Sequence, residues 1–467
     1  MGENSFQKYF KKSGEVTPAE VLVAQAASRG VLALTSQCSL RCLFCSNRQN
    51  PPGVEAVTMA PSTPSQVEEA LSFVDPAGPV VIGESATRVV EGEPFTHPQI
   101  LDILKLVRRK LPAAPIRITT NGSLIGRREA EALAELGGVE VCLSLNSASV
   151  LGRALLCGDE NPKAALAAPG LLAECGVPFH GSAVALPHVV GWADLEETVT
   201  FLAESGALTV RLFLPGYTRL APPALVFGPG LWDELDEFAR RLCAQTGVPV
   251  LCEPPLLKDL TPRLAGVIKG TPAAAAGLMA QDVVLTVGGE PAKSRVHAFS
   301  LMQKAAFPFL EVQRGEEVLQ VCLAKRAGER PGVVAEWDAD PALVDAMAKE
   351  VRRRRARSAL VLASQMGRAL LEEGICAFGG ADPAVDVIDV ITVENRFFGG
   401  SIGCAGLLTV ADFGEALEER WGGKRPPYDL ILLPGTAFDV RGRDLTGRSY
   451  RELEERSGVP AVPVGRQ

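Results

Sequence analysis

No unbroken apolar run in the 467 residues is long enough to cross a bilayer, and the opening Met-Gly-Glu-Asn-Ser-Phe-Gln lacks the apolar stretch of a secretory signal. A cytoplasmic protein with no membrane segment is expected. Low-complexity tracts are missing too: apolar residues make up 47% and charged residues 22%, the composition of a folded chain. There is no basic excess, because 47 Lys and Arg stand against 55 Asp and Glu for a net charge of −8. That balance counts against a protein whose whole surface seeks nucleic acid. Histidine is scarce, with four copies at His97, His180, His188 and His297.

The length exceeds one ordinary core and suggests roughly three domains. From residue 30 to 255, short apolar runs alternate with amphipathic stretches, the pattern of βα units around a parallel sheet. Strands are expected at Val31–Thr35, Pro79–Ile82, Ile116–Thr120, Val139–Leu145, Phe179–Leu186 and Leu208–Leu214. Six such units with right-handed crossovers make a partial (β/α)6 TIM-like barrel. Between the second and third, Ile100, Leu101, Ile103, Leu104 and Val107 share a helix face that ends in Arg108, Arg109 and Lys110, with Pro112 as the stop. Residues 1–29 form an N-terminal extension, 256–326 a small β-rich module, and 333–467 a C-terminal α/β domain with strands at Ala359–Ala363, Val387–Val393 and Leu430–Leu433.

Eleven cysteines are present, and eight lie singly in apolar segments: Cys142, Cys157, Cys175, Cys243, Cys252, Cys322, Cys376 and Cys404. These read as small buried hydrophobes. Only Cys38-Ser-Leu-Arg-Cys42-Leu-Phe-Cys45 clusters, and in a reducing compartment such spacing points to metal rather than a disulfide. The loop follows directly on the first strand, at the end of a barrel where active sites sit. Zinc would want a fourth ligand, and no histidine is near in sequence. Three thiolates suit three irons of a cubane, with the fourth iron left open.

The CxxxCxxC spacing, with Phe44 just before the last cysteine, resembles the signature of the radical S-adenosylmethionine (SAM) superfamily. Glu91-Gly92-Glu93-Pro94 resembles that family's Gly-Gly-Glu-Pro motif, with Glu91 in place of the first glycine. Thr119-Thr120-Asn121-Gly122 is similar to the segment that ends the family's third strand, and Ser144-Leu145-Asn146 to the segment that ends its fourth. The resemblance implies a [4Fe-4S] cluster on Cys38, Cys42 and Cys45. It also implies SAM contacts from Phe44, Gly92, Glu93, Asn121, Ser144 and Asn146, of which alternation puts Ser144 and Asn146 on one face. A reductant of ferredoxin or flavodoxin type goes with that chemistry, which would be reductive cleavage of SAM to a 5′-deoxyadenosyl radical.

The middle module resembles a PDZ domain through Gly270-Thr-Pro-Ala-Ala-Ala-Ala-Gly277-Leu278, Asp282–Gly289 and Phe309–Gly315. With the last segment it is similar to PDZ-containing radical SAM proteins that end in a domain of unknown function. A peptide or protein substrate is one expectation. An RNA-modifying enzyme, suggested by Arg352–Arg355, and a non-catalytic Fe-S adaptor are the alternatives. Asn395 and the glycines after it either line the substrate pocket or form a tight loop.

Overall fold

The computed structural model describes residues 17–84, 88–378 and 387–465, so most of the expected N-terminal extension lies outside the described residues. They group into two compact units: one holds the described residues up to Arg48 with Gly53–Ala207, the other Gln49–Pro52 with the described residues from Leu208 onward. No described helix is long and apolar enough to cross a membrane.

The first unit opens with a helix, Pro18–Arg29, whose start is written in the sequence. Thr17 and Glu20 cap each other reciprocally, Pro18 takes the first helical position, and Gly30 ends the helix in a left-handed turn at φ 67°. The strands are β1 (Val31–Leu32), β2 (Val57–Thr58), β3 (Val80–Ile82), β4 (Val89–Val90), β5 (Ile116–Thr120), β6 (Val139–Ser144) and β7 (Phe179–Val184). Five of this unit's strands form a parallel sheet in the order β1-β3-β5-β6-β7. β2 and β4 pair separately. The helix expected between the second and third units spans Ile100–Lys110, with its three cations in the last turn.

Strand alternation sorts the side chains. Ile116, Ile118, Val139, Val141, Leu143 and Phe179 are buried. The half-buried face between them carries Arg117, Thr119, Glu140, Cys142, Ser144, His180 and Ser182, and there Glu140 lies 3.2 Å from His180. Cys142 therefore belongs to a polar face, which corrects its reading as a buried hydrophobe. Of the eight scattered cysteines only Cys157 and Cys252 are buried, while Cys322, Cys376 and Cys404 are exposed.

In the second unit, β8 (Val210–Phe213) and β9 (Val250–Glu253) pair in parallel. β9 is a strand beyond the expected six. β9 is only four residues long and runs into Pro254 and Pro255, so its sequence looks like a boundary.

The middle module contains β10 (Gly266–Val267), β11 (Val283–Val287), β12 (Glu290–Pro291), β13 (Phe309–Arg314), β14 (Glu317–Cys322) and β15 (Val333–Val334). Four of them form an antiparallel sheet in the order β12-β11-β13-β14. Leu264, Leu278, Val284, Met302, Leu310 and Val312 fill one core with Val333. β15 pairs antiparallel with β10, Val267 opposite Val333.

The C-terminal part is a parallel sheet of β16 (Ser358–Ser364), β17 (Val387–Val393), β18 (Leu430–Pro434) and β19 (Ala461–Val464), in the order β17-β16-β18-β19. Both faces are covered. Leu360, Leu362, Ile431 and Leu433 pack with Phe413 and Leu453 on one side, and Ala359, Val361, Leu430 and Leu432 with Met347 and Val351 on the other. Asn395 settles into a tight loop: its Nδ2 donates to the Leu407 carbonyl at 2.8 Å and its Oδ1 accepts from the Phe398 N–H at 2.9 Å. Gly399 and Gly400 both take φ 65°, and a Cβ on Gly400 would overlap the Tyr217 carbonyl oxygen. Those glycines are explained by backbone geometry.

Candidate metal and cofactor site

Cys38, Cys42 and Cys45 lie on the irregular loop that leaves β1. Beyond Leu32 the chain quits the strand ladder, because the Ser36 N–H bonds to the Met59 carbonyl at 2.9 Å and the Thr35 carbonyl accepts from the Gly92 N–H at 3.0 Å. A second bridge follows, from the Glu93 N–H to the Gln37 carbonyl at 2.7 Å. Gly92 lies between these bonds, and a Cβ there would overlap the Gln37 carbonyl oxygen, so only glycine lets the two segments meet. The Gly92-Glu93 segment thus braces the residues immediately before Cys38.

Asn121 reaches the same loop from the end of β5. Its Nδ2 donates to Ser39 Oγ at 3.2 Å and lies 4.0 Å from Cys38 Sγ, and Ser39 Oγ is 2.8 Å from Ser123 Oγ. On the far side, the Arg41 and Leu43 N–H groups donate to the Cys157 and Leu156 carbonyls at 2.9 and 2.8 Å. The cysteine loop is therefore held from three directions. Burial raises the Cys38 thiol, with further push from Glu93 and Cys45. The neighbouring Cys157 thiol, and then burial, raise the Cys42 thiol.

Glu93 is buried, and its carboxylate accepts from Thr120 Oγ1 at 2.7 Å, the Asn121 N–H at 2.8 Å and the Phe95 N–H at 3.2 Å. Burial raises its carboxyl, and these three donors oppose the rise. In this state Glu93 ties its own turn to the end of β5. His97 is structural: its ring bonds the Ser62 carbonyl at 2.8 Å and the Gln99 N–H at 3.1 Å.

Glu91, which stands where the family motif has glycine, has no such support. Burial and then the Glu84 carboxylate push its carboxyl up to about 8, and among the described residues its Oε2 has no hydrogen-bond partner. Its folded value lies above the ordinary 4.5, so the stabilisation from its protonated form is complete below that pH and is lost as pH rises through about 8. Glu91→Gln should match the wild type in thermal melts near pH 5 and exceed it near pH 9, by on the order of a few kcal/mol. A difference that does not change with pH would refute this assignment.

Ser144 and Asn146 do not share a face. The strand ends at Ser144, and Asn146 turns to φ 66° and is buried. Its Oδ1 accepts from the Val184 N–H at 3.0 Å and its Nδ2 donates to the Ser144 carbonyl at 3.0 Å. Alternation stops where the ladder stops, which corrects the expectation. Ser144 remains half-buried, 3.2 Å from Ser182 by hydroxyl. Phe44 is half-buried within the cysteine loop.

Two residues near the loop escaped sequence reasoning, Arg153 and Cys157. Among the described residues no three His, Cys, Asp or Glu side chains converge on a single ion. A cubane takes one thiolate per iron, so its cysteines surround it rather than converge. Three thiols on one braced loop, with no fourth thiol on the loop itself, are a donor set that fits a cluster with an open iron. Cys38, Cys42 and Cys45 would hold it.

Residues 32–202 match the Radical SAM superfamily. Over 116 residues the chain is 31% identical to a GTP 3',8-cyclase of Chlorobaculum tepidum, covering 25% of this chain and 32% of that one. Over 168 residues it is 27% identical to a GTP 3',8-cyclase of Rhodococcus opacus, covering 36% and 46%. The chain thus spans less than half the length of these curated relatives. Among solved structures, Streptococcus suis SuiB bound to precursor peptide SuiA aligns over 48% of each chain at 18% identity, with a TM-score of 0.38.

Proposed function

We propose that this protein, whose residues 32–202 match the Radical SAM superfamily, cleaves S-adenosylmethionine reductively at a [4Fe-4S] cluster and acts on a peptide or protein. The observation that carries the reading is the braced loop itself: Cys38, Cys42 and Cys45, with Asn121 and the Gly92-Glu93 segment bonded to it. When bound, the cluster and SAM together supply a 5′-deoxyadenosyl radical that takes hydrogen from substrate.

The chain's own part is to hold and enclose. Cys38, Cys42 and Cys45 supply thiolates, and the bridges at Thr35 and Gln37 keep the loop from opening. The half-buried polar face around Glu140, Ser144, His180 and Ser182 offers donors and acceptors for a polar ligand. Electrons would come from a ferredoxin- or flavodoxin-type protein.

The peptide assignment rests on the β-rich middle module and its PDZ-like motifs, with strand addition as the mode of capture. Arg353 and Arg354 of the arginine run both pair with Glu350 on a helix end, as on a solvated helix face.

Anaerobic reconstitution should load about four irons per chain, and dithionite reduction with SAM should release 5′-deoxyadenosine. A protein with intact cysteines that takes up no iron sinks the reading. A loaded protein that never cleaves SAM leaves the adaptor instead.

A further inference from the structure

The helix Val150–Cys157 carries an arginine inside and two leucines outside. Gly152, Arg153, Leu156 and Cys157 are buried, while Val150, Leu151 and Leu155 are 54, 70 and 52% exposed. Positions 150, 151, 154 and 155 adjoin on one face at helical spacing, and Ala154 is exposed with them. Single exposed leucines are ordinary, but an apolar face running the length of a short helix makes a patch. The helix cannot roll to hide it. Arg153 is pinned inside by Asp159 and the Leu145 carbonyl at 2.8 and 2.6 Å, and a Cβ on Gly152 would overlap Ser147 Oγ.

This face adjoins the cysteine loop. The Arg41 and Leu43 N–H groups, on either side of Cys42, donate to the carbonyls of Cys157 and Leu156 that end the helix. Gly158 is exposed at that end with Arg41 against it, since a Cβ there would sit 3.4 Å from Arg41 Cβ. Arg48 reaches the same place, its Nη1 donating to the Arg41 carbonyl at 3.2 Å. Both arginines are exposed, and among the described residues neither pairs with a carboxylate. Just past the helix in sequence, Glu160 and Lys163 are exposed too and offset each other. The apolar face therefore has a positive rim, on a chain whose net charge is −8.

We propose that this face docks the electron donor, a small carrier of ferredoxin or flavodoxin type that is acidic around its redox centre. The proposal rests on Cys38, Cys42 and Cys45 as the cluster's ligands. One electron passes from the reduced carrier to the oxidised cluster, and no bond is made or broken. Two observations select this occupant. Arginines beside an apolar centre attract an acidic partner and repel a basic one. The helix end is bonded to the loop on both sides of Cys42, so a carrier seated there rests beside the cluster. Electron-transfer encounters are small and transient, and a patch of one helix face with its rim suffices for them.

The test is anaerobic stopped-flow reduction of the reconstituted full-length protein by flavodoxin hydroquinone, by a reduced [2Fe-2S] ferredoxin and by dithionite. Leu151→Ser with Leu155→Ser should lower the second-order rate constant with a carrier about tenfold, leaving iron content and the dithionite rate within about twofold. Arg48→Glu should lower the carrier rate about threefold in dilute buffer, and the gap should close in about 0.5 M salt. A cation that serves only the helix C-terminus would give no such salt-dependent gap. Val318→Ser, an equally exposed site on the middle module, should change nothing. The proposal is overturned by a loaded wild type that neither carrier reduces, by leucine variants that react as the wild type does, or by an equal loss with dithionite. It is overturned as well by an Arg48→Glu rate that is unchanged or indifferent to salt, or by a wild-type dimer that the leucine variants convert to monomer. A wild type that takes up no iron fails at the ligand assignment itself, so the two failures are distinguishable.

Discussion

Alanine at Cys38, Cys42 or Cys45, one at a time, should abolish the brown absorbance of the reconstituted protein and drop 5′-deoxyadenosine release to that of a protein-free mixture. Each iron of a cubane needs its own ligand, and a loop with two thiolates cannot hold three irons. No substitute is at hand on the loop, and Cys157 is buried at the end of its helix. The loss should be one of ligation and not of folding. The bonds that brace the loop run from the backbone of Thr35, Ser36, Gln37, Arg41 and Leu43, none of which a cysteine side chain supplies. Apo melts of the three variants should therefore stay within about 1 kcal/mol of the wild type. Alanine at Cys142 or Cys252 should leave iron content unchanged. Retained iron and turnover in any one of the three single variants would show that its cysteine is not a ligand.

What could be read ahead of the structure was whatever is written contiguously. The cysteine loop occupies eight consecutive residues, and β5, β6 and β7 announce themselves by alternation over five or six positions. Features set by chain crossings were not legible. β1 shrinks to two residues because Ser36 and Thr35 bond to Met59 and Gly92, partners that no local pattern names. Asn146 leaves the face of Ser144 because its positive φ follows from the end of the ladder, not from its own residue type. The helix Val150–Cys157 gave no signal of its role, since Val-Leu-Gly-Arg-Ala-Leu-Leu-Cys has one charge among apolar residues and an arginine ordinarily faces solvent. The structure inverts it, exposing Leu151 by 70% and Leu155 by 52% while Arg153 is 0% exposed.

That inversion has an energetic consequence: Arg153→Met should destabilise the first unit by about 3–5 kcal/mol. Arg153 Nε and Nη2 hold Asp159 Oδ2 at 2.8 and 2.7 Å, and Nη1 donates to the Leu145 carbonyl at 2.6 Å. Nη2 also reaches the Asn121 carbonyl at 3.4 Å. Asp159 is itself buried, so removing the guanidinium strands a carboxylate and two carbonyls away from water. Against a total stability of roughly 5–15 kcal/mol, this is a large fraction. The damage would spread to the cysteine loop, since the same helix end carries the carbonyls that bond Arg41 and Leu43. Arg153→Met with Asp159→Leu should recover part of the loss, because no charge is then left unpaired and both side chains are apolar. Urea unfolding of the apo protein followed on the first unit is the measurement. If the single variant unfolds within 1 kcal/mol of the wild type, or the double is no more stable than the single, the pair is not the clamp described here.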